Sequence, residues 1–332
     1  MSSATRRSSW ALAALVAYFA FACAGGAVTK PEIRIVKIHY RAHSGTERNA
    51  YVVLPAWYGP RNAPPIPLII SPHGRGLSGR ANARIWGNLP AVGPFAVVNP
   101  DGQGRLLPSY SWGSAGQIED LSRMPEILRR TVPWLHVERS KVYAFGGSMG
   151  GQETLLLVAR HPRLFAGAAV FDSVADLARQ YREFPHLVCD SECRKIWDGP
   201  LGKSLQQLAR REIGGSPGSA PGAYARRSPV TYARRLAYSC VPLQFWWSDA
   251  DRIVIGQQEQ SGRLFRTIRE LNPDAPVQAF VGFWIHTAEM NARTRLPLAL
   301  ATFGLLPPDY EQRTPALHVD PPPVSDGCDP VP

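Results

Sequence analysis

The sequence has no long run of basic residues, although the chain is basic overall. Its 37 Lys and Arg outnumber 26 Asp and Glu, which gives a formal net charge of +11 and a pI near 9.7. No run of Lys and Arg is longer than a pair. Proteins that bind nucleic acids usually gather such charge on one face or one helix. We therefore expect no nucleic-acid partner, and at most a weak attraction to an anionic cell envelope.

The chain also lacks internal repeats and an apolar run long enough to span a bilayer comfortably. The longest such run near the start, Trp10–Phe21, is too short for a transmembrane helix. Arg6 and Arg7 precede it, and Ala22-Cys23-Ala24 follows it as a small-x-small sequence. This pattern is typical of a secretory signal peptide and predicts an extracytoplasmic, secreted protein.

Residues 1–27 are accordingly predicted to be a signal peptide, cleaved after Ala24 or Ala27. An uncleaved anchor and lipidation of Cys23 are the alternatives. Ala20-Phe21-Ala22 is a poor lipobox, which disfavours lipidation.

Cysteine is scarce, and one of the five cysteines lies in the predicted signal peptide. The other four, Cys189, Cys193, Cys240 and Cys328, predict two disulfides in an exported protein. Pairing Cys189 with Cys193 would close a small loop, and pairing Cys240 with Cys328 would attach the tail to the core. Other connectivities and four free thiols are the alternatives. Irregular spacing without a histidine pair disfavours a zinc site, so no metal is expected.

The remaining composition is globular, with 45% hydrophobic and 19% charged residues. Short apolar runs alternate with helical stretches, which predicts an α/β fold with a mostly parallel sheet covered on both faces. The predicted strands are Ile33–His39, Tyr51–Leu54, Leu68–Ser71, Ala96–Asn99, Val142–Phe145, Ala168–Phe171, Val241–Trp247 and Val277–Val281. The predicted helices are Ile118–Leu135, Met149–Arg160, Gln257–Leu271 and Leu296–Phe303, and Pro125 and Pro133 are expected to shorten or kink the first.

Two segments depart from this alternation. Residues 176–235 have no clear strand and are predicted to form a helical insertion or partial lid above the sheet. A long surface segment without function is the alternative. Residues 307–332 are proline-rich and predict an extended tail without its own core. The main domain is therefore expected to span residues 28–306.

One motif carries chemistry. Gly146-Gly147-Ser148-Met149-Gly150 matches Gly-x-Ser-x-Gly and lies between a predicted strand and a predicted helix. A serine on such a turn is pushed above the sheet with its hydroxyl exposed. Ser148 is therefore the predicted nucleophile. A glycine-rich turn without catalysis, or one that binds phosphate, is the alternative.

A serine hydroxyl needs a base, and after this motif the acid precedes the histidine along the chain. His286 follows the last predicted strand and is the preferred base, with a core histidine as the alternative. Asp251 is the preferred acid, because the apolar residues after it would anchor the returning chain. Asp249 is then a turn residue, and Asp172, one strand earlier, is a third possibility for the acid.

Two backbone N–H groups are expected to stabilise an oxyanion: that of Met149, after the nucleophile, and that of Arg75, in Ser71-Pro-His-Gly-Arg-Gly76. An ordinary turn is the alternative for the second segment. Trp112 and Trp284 are candidates for substrate binding, with core packing as the alternative, whereas Trp246 is expected in the core.

At these residues the chain resembles the α/β-hydrolase superfamily over nearly all of 33–306. The resemblance implies a mostly parallel eight-stranded sheet with a helical insertion after the sixth strand. It also implies a triad of Ser148, Asp251 and His286. Secreted feruloyl esterases and polyhydroxybutyrate depolymerases look similar at Asn99-Pro-Asp-Gly-Gln-Gly-Arg and Ser111-Trp-Gly. The catalytic domain of prolyl-oligopeptidase-type peptidases looks similar at Ser228-Pro-Val-Thr-Tyr, Pro242, Asp251-Arg-Ile-Val and Gln257.

These features together predict a secreted carboxylic ester hydrolase that needs no cofactor. Its expected partner is a small-molecule or polymeric acyl ester. A serine peptidase and an acyltransferase that uses the same acyl-enzyme are alternatives. A catalytically dead binding protein on the same scaffold fits least, because nucleophile, acid and base are all present.

Overall fold

The computed structural model describes residues 32–189, 191, 194, 199–307, 310 and 318–320. Within these residues, nine strands form one sheet in the order β1-β2-β4-β3-β5-β6-β7-β8-β9. The strands are β1 Ile33–Arg41, β2 Glu47–Pro55, β3 Ile66–Ile70, β4 Ala96–Pro100, β5 Val137–Gly147, β6 Gly167–Phe171, β7 Leu243–Ser248, β8 Val277–Gly282 and β9 His318–Asp320.

Most neighbouring strands in the centre of the sheet are parallel. β3, β4, β5, β6, β7 and β8 pair in parallel, whereas β1, β2 and β9 pair antiparallel with their neighbours. The predicted mostly parallel sheet is therefore confirmed. The ninth strand was not predicted: His318–Asp320 comes from the proline-rich tail and pairs with β8.

The α-helices on the two faces and in the insertion are short to medium in length. Their bounds are α1 Gly79–Ala83, α2 Leu89–Val92, α3 Ala115–Ser122, α4 Met124–Thr131, α5 Met149–Arg160, α6 Leu177–Glu183, α7 Gly202–Ile213, α8 Pro221–Arg227, α9 Ala233–Ala237, α10 Ser261–Leu271 and α11 Leu296–Thr302. Among the described residues, no helix is both long enough and apolar enough to cross a membrane.

The central strands are apolar on both faces because helices cover both faces. In β3, Leu68 and Ile70 pack into one hydrophobic cluster while Ile69 packs into the other. Successive residues of a strand point to opposite faces, so an uninterrupted apolar run fits a sheet that is buried twice. Leu155 of α5 belongs to the first cluster and Leu300 of α11 to the second.

Two predicted helices differ from the observed ones. The stretch predicted as one helix, Ile118–Leu135, is two helices, α3 and α4, which meet at Arg123. Pro125 lies in the first turn of α4, where a missing N–H costs little. Residues 257–259 form a 3-10 turn, and the α-helix begins only at Ser261.

The segment after β6 is helical, as predicted. It contains α6, α7, α8 and α9, and the apolar side chains of α6, α7 and α8 form a third cluster with Trp112 and Met149. Because Met149 follows Ser148 directly, the insertion packs against the turn that carries the serine.

A buried glutamate ties this insertion to the rest of the domain. Glu212 of α7 accepts hydrogen bonds from three consecutive amides, those of Arg105, Leu106 (2.7 Å) and Leu107 (2.9 Å). Its side chain is fully buried, and Arg227 Nη2 lies 3.8 Å from it. Removing one partner of such a buried, fully bonded carboxylate would be costly. The insertion is thus attached by a polar anchor as well as by apolar packing.

Candidate active site

Ser148 occupies a sharp turn between β5 and α5. Its φ is 57° and its ψ is −123°, a conformation that is strained for a residue with a side chain. Glycine is required on both sides: a Cβ on Gly146 would collide with the carbonyl of Gly150, and one on Gly150 with the carbonyl of Pro72. The Ser148 N–H donates to the carbonyl of Phe171 at 2.8 Å. The predicted strand–turn–helix arrangement is therefore present around the serine.

The parallel strands β5 to β8 end at one edge of the sheet. Gly147 pairs with Phe171, and Ser248 pairs with Gly282. Ligands of open α/β sheets bind outside the carboxyl ends of the strands. The chemistry-bearing residues that follow these strands share that edge: Ser148, Asp172, Asp251 and His286.

The predicted acid and base are in contact. His286 Nδ1 lies 2.8 Å from Asp251 Oδ2. Oδ1 of Asp251 accepts the N–H groups of Ile253 at 2.8 Å and Val254 at 3.0 Å, and the Gln257 amide donates to Oδ2 at 3.2 Å. Because Asp251 engages Nδ1, Nε2 is the ring nitrogen that remains for proton transfer.

Asp251 and His286 each stabilise the charged form of the other. Burial by itself would raise the pKa of Asp251, but the charge and hydrogen bond of His286 outweigh it, and the pKa is lowered. Burial would likewise lower the pKa of His286, but the charge and hydrogen bond of Asp251 outweigh it, and the pKa is raised. The arrangement therefore stabilises an ion pair, which is the state that forms when a histidine base accepts a proton.

Asp172 holds the loop that carries His286. It is fully buried and has a φ of 46°. Its Oδ1 accepts the Ser248 N–H at 2.8 Å, and its Oδ2 accepts the indole N–H of Trp284 at 2.9 Å and the N–H of Thr287 at 2.7 Å. This carboxylate therefore connects the ends of β6, β7 and β8.

The structure distinguishes the three aspartates that the sequence left open. Asp251 is the one hydrogen-bonded to the His286 ring. Asp172 accepts hydrogen bonds from the indole N–H of Trp284 and the backbone N–H of Thr287, which precede and follow His286 in the sequence. Asp249 is exposed and accepts the amide of Gln258 at 2.9 Å. Asp249 therefore acts as a turn residue, as expected.

Two loops lie close to the turn that carries Ser148. A Cβ built on Gly147 would lie 3.0 Å from Cγ2 of Thr287, so the His286 loop packs over the residue before Ser148. A Cβ built on Gly74 would lie 3.9 Å from Cβ of Ser148. Thr287, like Ser148, has a positive φ, of 55°.

The loop that contains Gly74 and Arg75 is fixed by His73. The Gly102 N–H donates to His73 Nε2 at 2.8 Å, so Nδ1 carries the proton and donates to the Gly74 carbonyl at 2.7 Å. Burial lowers the pKa of His73, which keeps the ring neutral. The C=O and N–H of a trans peptide point in opposite directions. The Arg75 N–H is therefore directed away from His73.

The other predicted oxyanion donor, the Met149 N–H, begins α5. N–H groups of a first helical turn have no partner inside the helix. The Arg75 side chain is also buried near the site, with its guanidinium 5.7 Å from the centre of the Phe184 ring. Burial lowers the pKa of this guanidinium to about 10. The oxyanion role of both amides stays a prediction.

The two tryptophans proposed for substrate binding are buried. Trp284 bonds to Asp172, and the Arg295 guanidinium lies 4.8 Å from its ring. Its neighbours Phe283 and Ile285 are instead 81% and 58% exposed. Alternation along an extended segment sends adjacent side chains to opposite sides. The apolar surface beside His286 therefore comes from the residues that flank Trp284.

Trp112 lies in the third hydrophobic cluster, 2% exposed, with a φ of 41°. Its backbone N–H donates to the sulfur of Met149 at 3.3 Å. Ser111, next to it, donates to the buried carboxylate of Glu153. Burial raises the pKa of Glu153 to about 7. Glu153 was not singled out from the sequence, because its burial depends on the contact with Ser111 from a distant segment.

The carboxylates and the imidazole at this edge are also metal-type ligands. Atoms of Asp172, Asp251 and His286 all lie within 4.8 Å of one another. N–H donors engage the oxygens of both carboxylates. The contacts therefore match acid–base chemistry, and the expectation of no metal remains a prediction.

Solved structures share this arrangement of strands and helices. An S-formylglutathione hydrolase from Staphylococcus aureus is 15% identical with a TM-score of 0.56, covering 82% of this chain and 99% of that chain. A hyperthermophilic esterase from the archaeon Pyrobaculum calidifontis is 15% identical with a TM-score of 0.59, covering 82% and 84%. This chain has the α/β-hydrolase fold.

Other comparisons match peptidases over part of their length. A model of the prolyl oligopeptidase family matches residues 116–193, which include Ser148. A putative dipeptidyl aminopeptidase IV from Bacteroides ovatus is 18% identical with a TM-score of 0.55, covering 82% of this chain. This chain spans only 34% of that one. A search of curated proteins finds no match.

Proposed function

We propose that this α/β-hydrolase chain is a serine hydrolase with Ser148 as nucleophile, His286 as base and Asp251 as acid. The observation that carries the proposal is the 2.8 Å contact between His286 Nδ1 and Asp251, at the sheet edge where Ser148 stands on its strained turn. A nucleophile, a base and an orienting acid are the parts that acyl transfer requires.

In the proposed cycle, His286 Nε2 takes the proton of the Ser148 hydroxyl as its oxygen attacks an acyl carbonyl. Asp251 keeps the Nδ1–H tautomer and stabilises the imidazolium. The N–H groups of Met149 and Arg75 would bind the oxyanion, and a single donor of this kind contributes about 3 kcal/mol. His286 then protonates the leaving group, and water releases the acyl group from Ser148.

Carboxylic esters are the substrates we favour. Support comes from two solved structures named as a hydrolase and an esterase, which match over 99% and 84% of their own lengths. The exposed side chains of Phe283 and Ile285 beside His286 would suit an apolar acyl or alcohol group. The segments at Asn99 and Ser111 resemble secreted esterases, as described above.

A peptidase is the second candidate, because the prolyl oligopeptidase model matches the segment around Ser148. An acyltransferase would use the same acyl-enzyme with another acceptor. The esterase, the peptidase and the acyltransferase would use the same residues and differ in the bond that is attacked and in the acceptor.

The decisive experiment compares aryl esters of increasing acyl length with aminoacyl anilides. We expect ester hydrolysis in the wild type and its loss in Ser148→Ala, together with loss of labelling by a fluorophosphonate. Faster turnover of anilides than of matched esters would favour the peptidase. Equal labelling of both proteins would contradict the role of Ser148.

We also propose that the protein is exported and that its cysteines form disulfides. Residues 1–27, Cys193 and Cys328 lie outside the described residues, so both statements rest on the sequence. Mass spectrometry of the exported protein tests them together. We expect a mature N-terminus after Ala24 or Ala27 and no cysteine that reacts with an alkylating reagent before reduction.

A further inference from the structure

Arginines that are scattered along the sequence come together around the end of helix α5. Three neighbouring cavities, of about 540, 690 and 570 Å³, all include Arg160, the last residue of α5, in their walls. The three cavities adjoin one another at this side chain, and we call them together the Arg160 groove.

Arginines from separate segments line this groove. Arg105 and Arg226 line the first cavity, Arg234 and Arg235 the second, and Arg163 the third. No aspartate or glutamate is among the described residues that line the three cavities. A concave surface with one sign of charge concentrates the electrostatic field and attracts ligands of the opposite sign.

Carboxylates of the described residues contact the first cavity only. Asp120 lies 2.8 Å from Nδ1 of His43, and Glu212 accepts the Arg105 amide and lies 3.8 Å from Nη2 of Arg227. Arg163, Arg234 and Arg235 are exposed, and none of them forms an ion pair with a described residue. Their charge is available to a ligand.

Two tyrosines orient the guanidinium groups. Arg160 and Arg235 lie 5.4 Å and 5.7 Å from the ring centre of Tyr232, and Arg234 lies 5.9 Å from that of Tyr238. A guanidinium stacked on an aromatic face keeps its N–H edge free for carboxylates and similar oxyanions. Arg160 is further fixed because it donates to the Arg226 carbonyl at 2.8 Å.

We propose that the Arg160 groove binds an acidic polysaccharide, a chain of sugars that carry carboxylate or sulfate groups. Single-stranded nucleic acids need aromatic faces on which bases stack, and guanidinium groups cover those of Tyr232 and Tyr238. A lipid surface calls for exposed large apolar residues beside the basic ones, and the groove is lined by none of the exposed large apolar residues of the described chain. Spaced oxyanions along a flexible chain fit the arginines best.

The experiment measures binding of the mature protein to an oligogalacturonate by calorimetry. The test variant combines Arg163→Gln, Arg234→Gln and Arg235→Gln. The control removes the same charge elsewhere, through Arg61→Gln, Arg139→Gln and Arg263→Gln, all at exposed positions. Unchanged thermal unfolding establishes that both variants are folded.

We expect the groove variant to lose about tenfold or more in affinity and the control to lose about twofold at most. Added salt should weaken wild-type binding. Equal losses in the two variants would overturn the proposal, because net charge alone would then explain the binding. Tighter binding of neutral dextran, of an oligothymidylate or of vesicles with anionic lipids would overturn it as well. Binding is measured directly, so the result does not depend on the proposed esterase activity.

Discussion

The ends of β6 and β7 each place an aspartate beside His286, and the two carboxylates behave in opposite ways. Asp172 and Asp251 are both buried, and their oxygens lie within 4.8 Å of one another and of the histidine. Burial, followed by the charge of Asp251, raises the pKa of Asp172 to about 7. The pKa of Asp251 is lowered, because the histidine outweighs burial. Because both carboxylates are buried, the opposite shifts of their pKa values come from their partners: the His286 ring is hydrogen-bonded to Asp251 and not to Asp172.

Replacing Asp251 should give the largest effect. We expect Asp251→Asn to reduce kcat/KM by about 10⁴-fold, because the amide no longer stabilises the imidazolium and favours the wrong tautomer. Steady-state hydrolysis of an aryl ester measures this. Asp249→Asn is the matched control, since Asp249 is exposed and contacts Gln258, and it should leave kcat/KM unchanged.

Replacing Asp172 should give a smaller loss of a different kind. Asp172→Asn keeps the shape but loses the negative charge and one acceptor for the N–H groups of Ser248, Trp284 and Thr287. We expect kcat to fall by about tenfold to a hundredfold with little change in KM, because the histidine loop is misplaced. A loss as large as that of Asp251→Asn would mean that the two aspartates share the role of the acid.

The smallest expected effect is a shift of the pH profile. Only neutral His286 accepts a proton, so kcat/KM of the wild type should rise with pH through a pKa above the usual histidine value. Asp251→Asn removes the main charge that raises this pKa and should move the acid limb to lower pH. Asp172→Asn should move it in the same direction by less, because Asp172 contributes less to the shift. Profiles recorded from about pH 5 to 9 test the order, and a shift to higher pH in either variant would contradict it.

Sequence patterns predicted the elements that depend on local signals. Gly-x-Ser-x-Gly between an apolar run and a helix placed Ser148 on its turn, since glycine spacing and hydrophobic periodicity are local properties. The sheet and the helical insertion followed from the same kind of signal. Asp251 and His286 were paired by chain order, and the structure brings them to 2.8 Å.

The contacts that sequence could not predict join distant segments. Glu212 bonds to amides more than a hundred positions earlier, from Arg105 to Leu107. Trp284 is buried and bonds to Asp172, while the adjacent Phe283 is exposed. The sequence does not indicate which of these two aromatic residues is buried. Arginines that form no run in the sequence surround one groove at Arg160.

Backbone strain gathers at the same edge of the sheet as the chemistry. Ser148, Asp172 and Thr287 all have positive φ, and so does Trp112 nearby. Each such conformation costs about 1–3 kcal/mol for a residue other than glycine, and the net stability of a whole domain is only about 5–15 kcal/mol. The same few strained backbone positions therefore lower the stability of the domain and hold the groups proposed for catalysis. A lineage of this protein that adapted to higher temperature would have to gain its stability elsewhere in the domain, or lose activity.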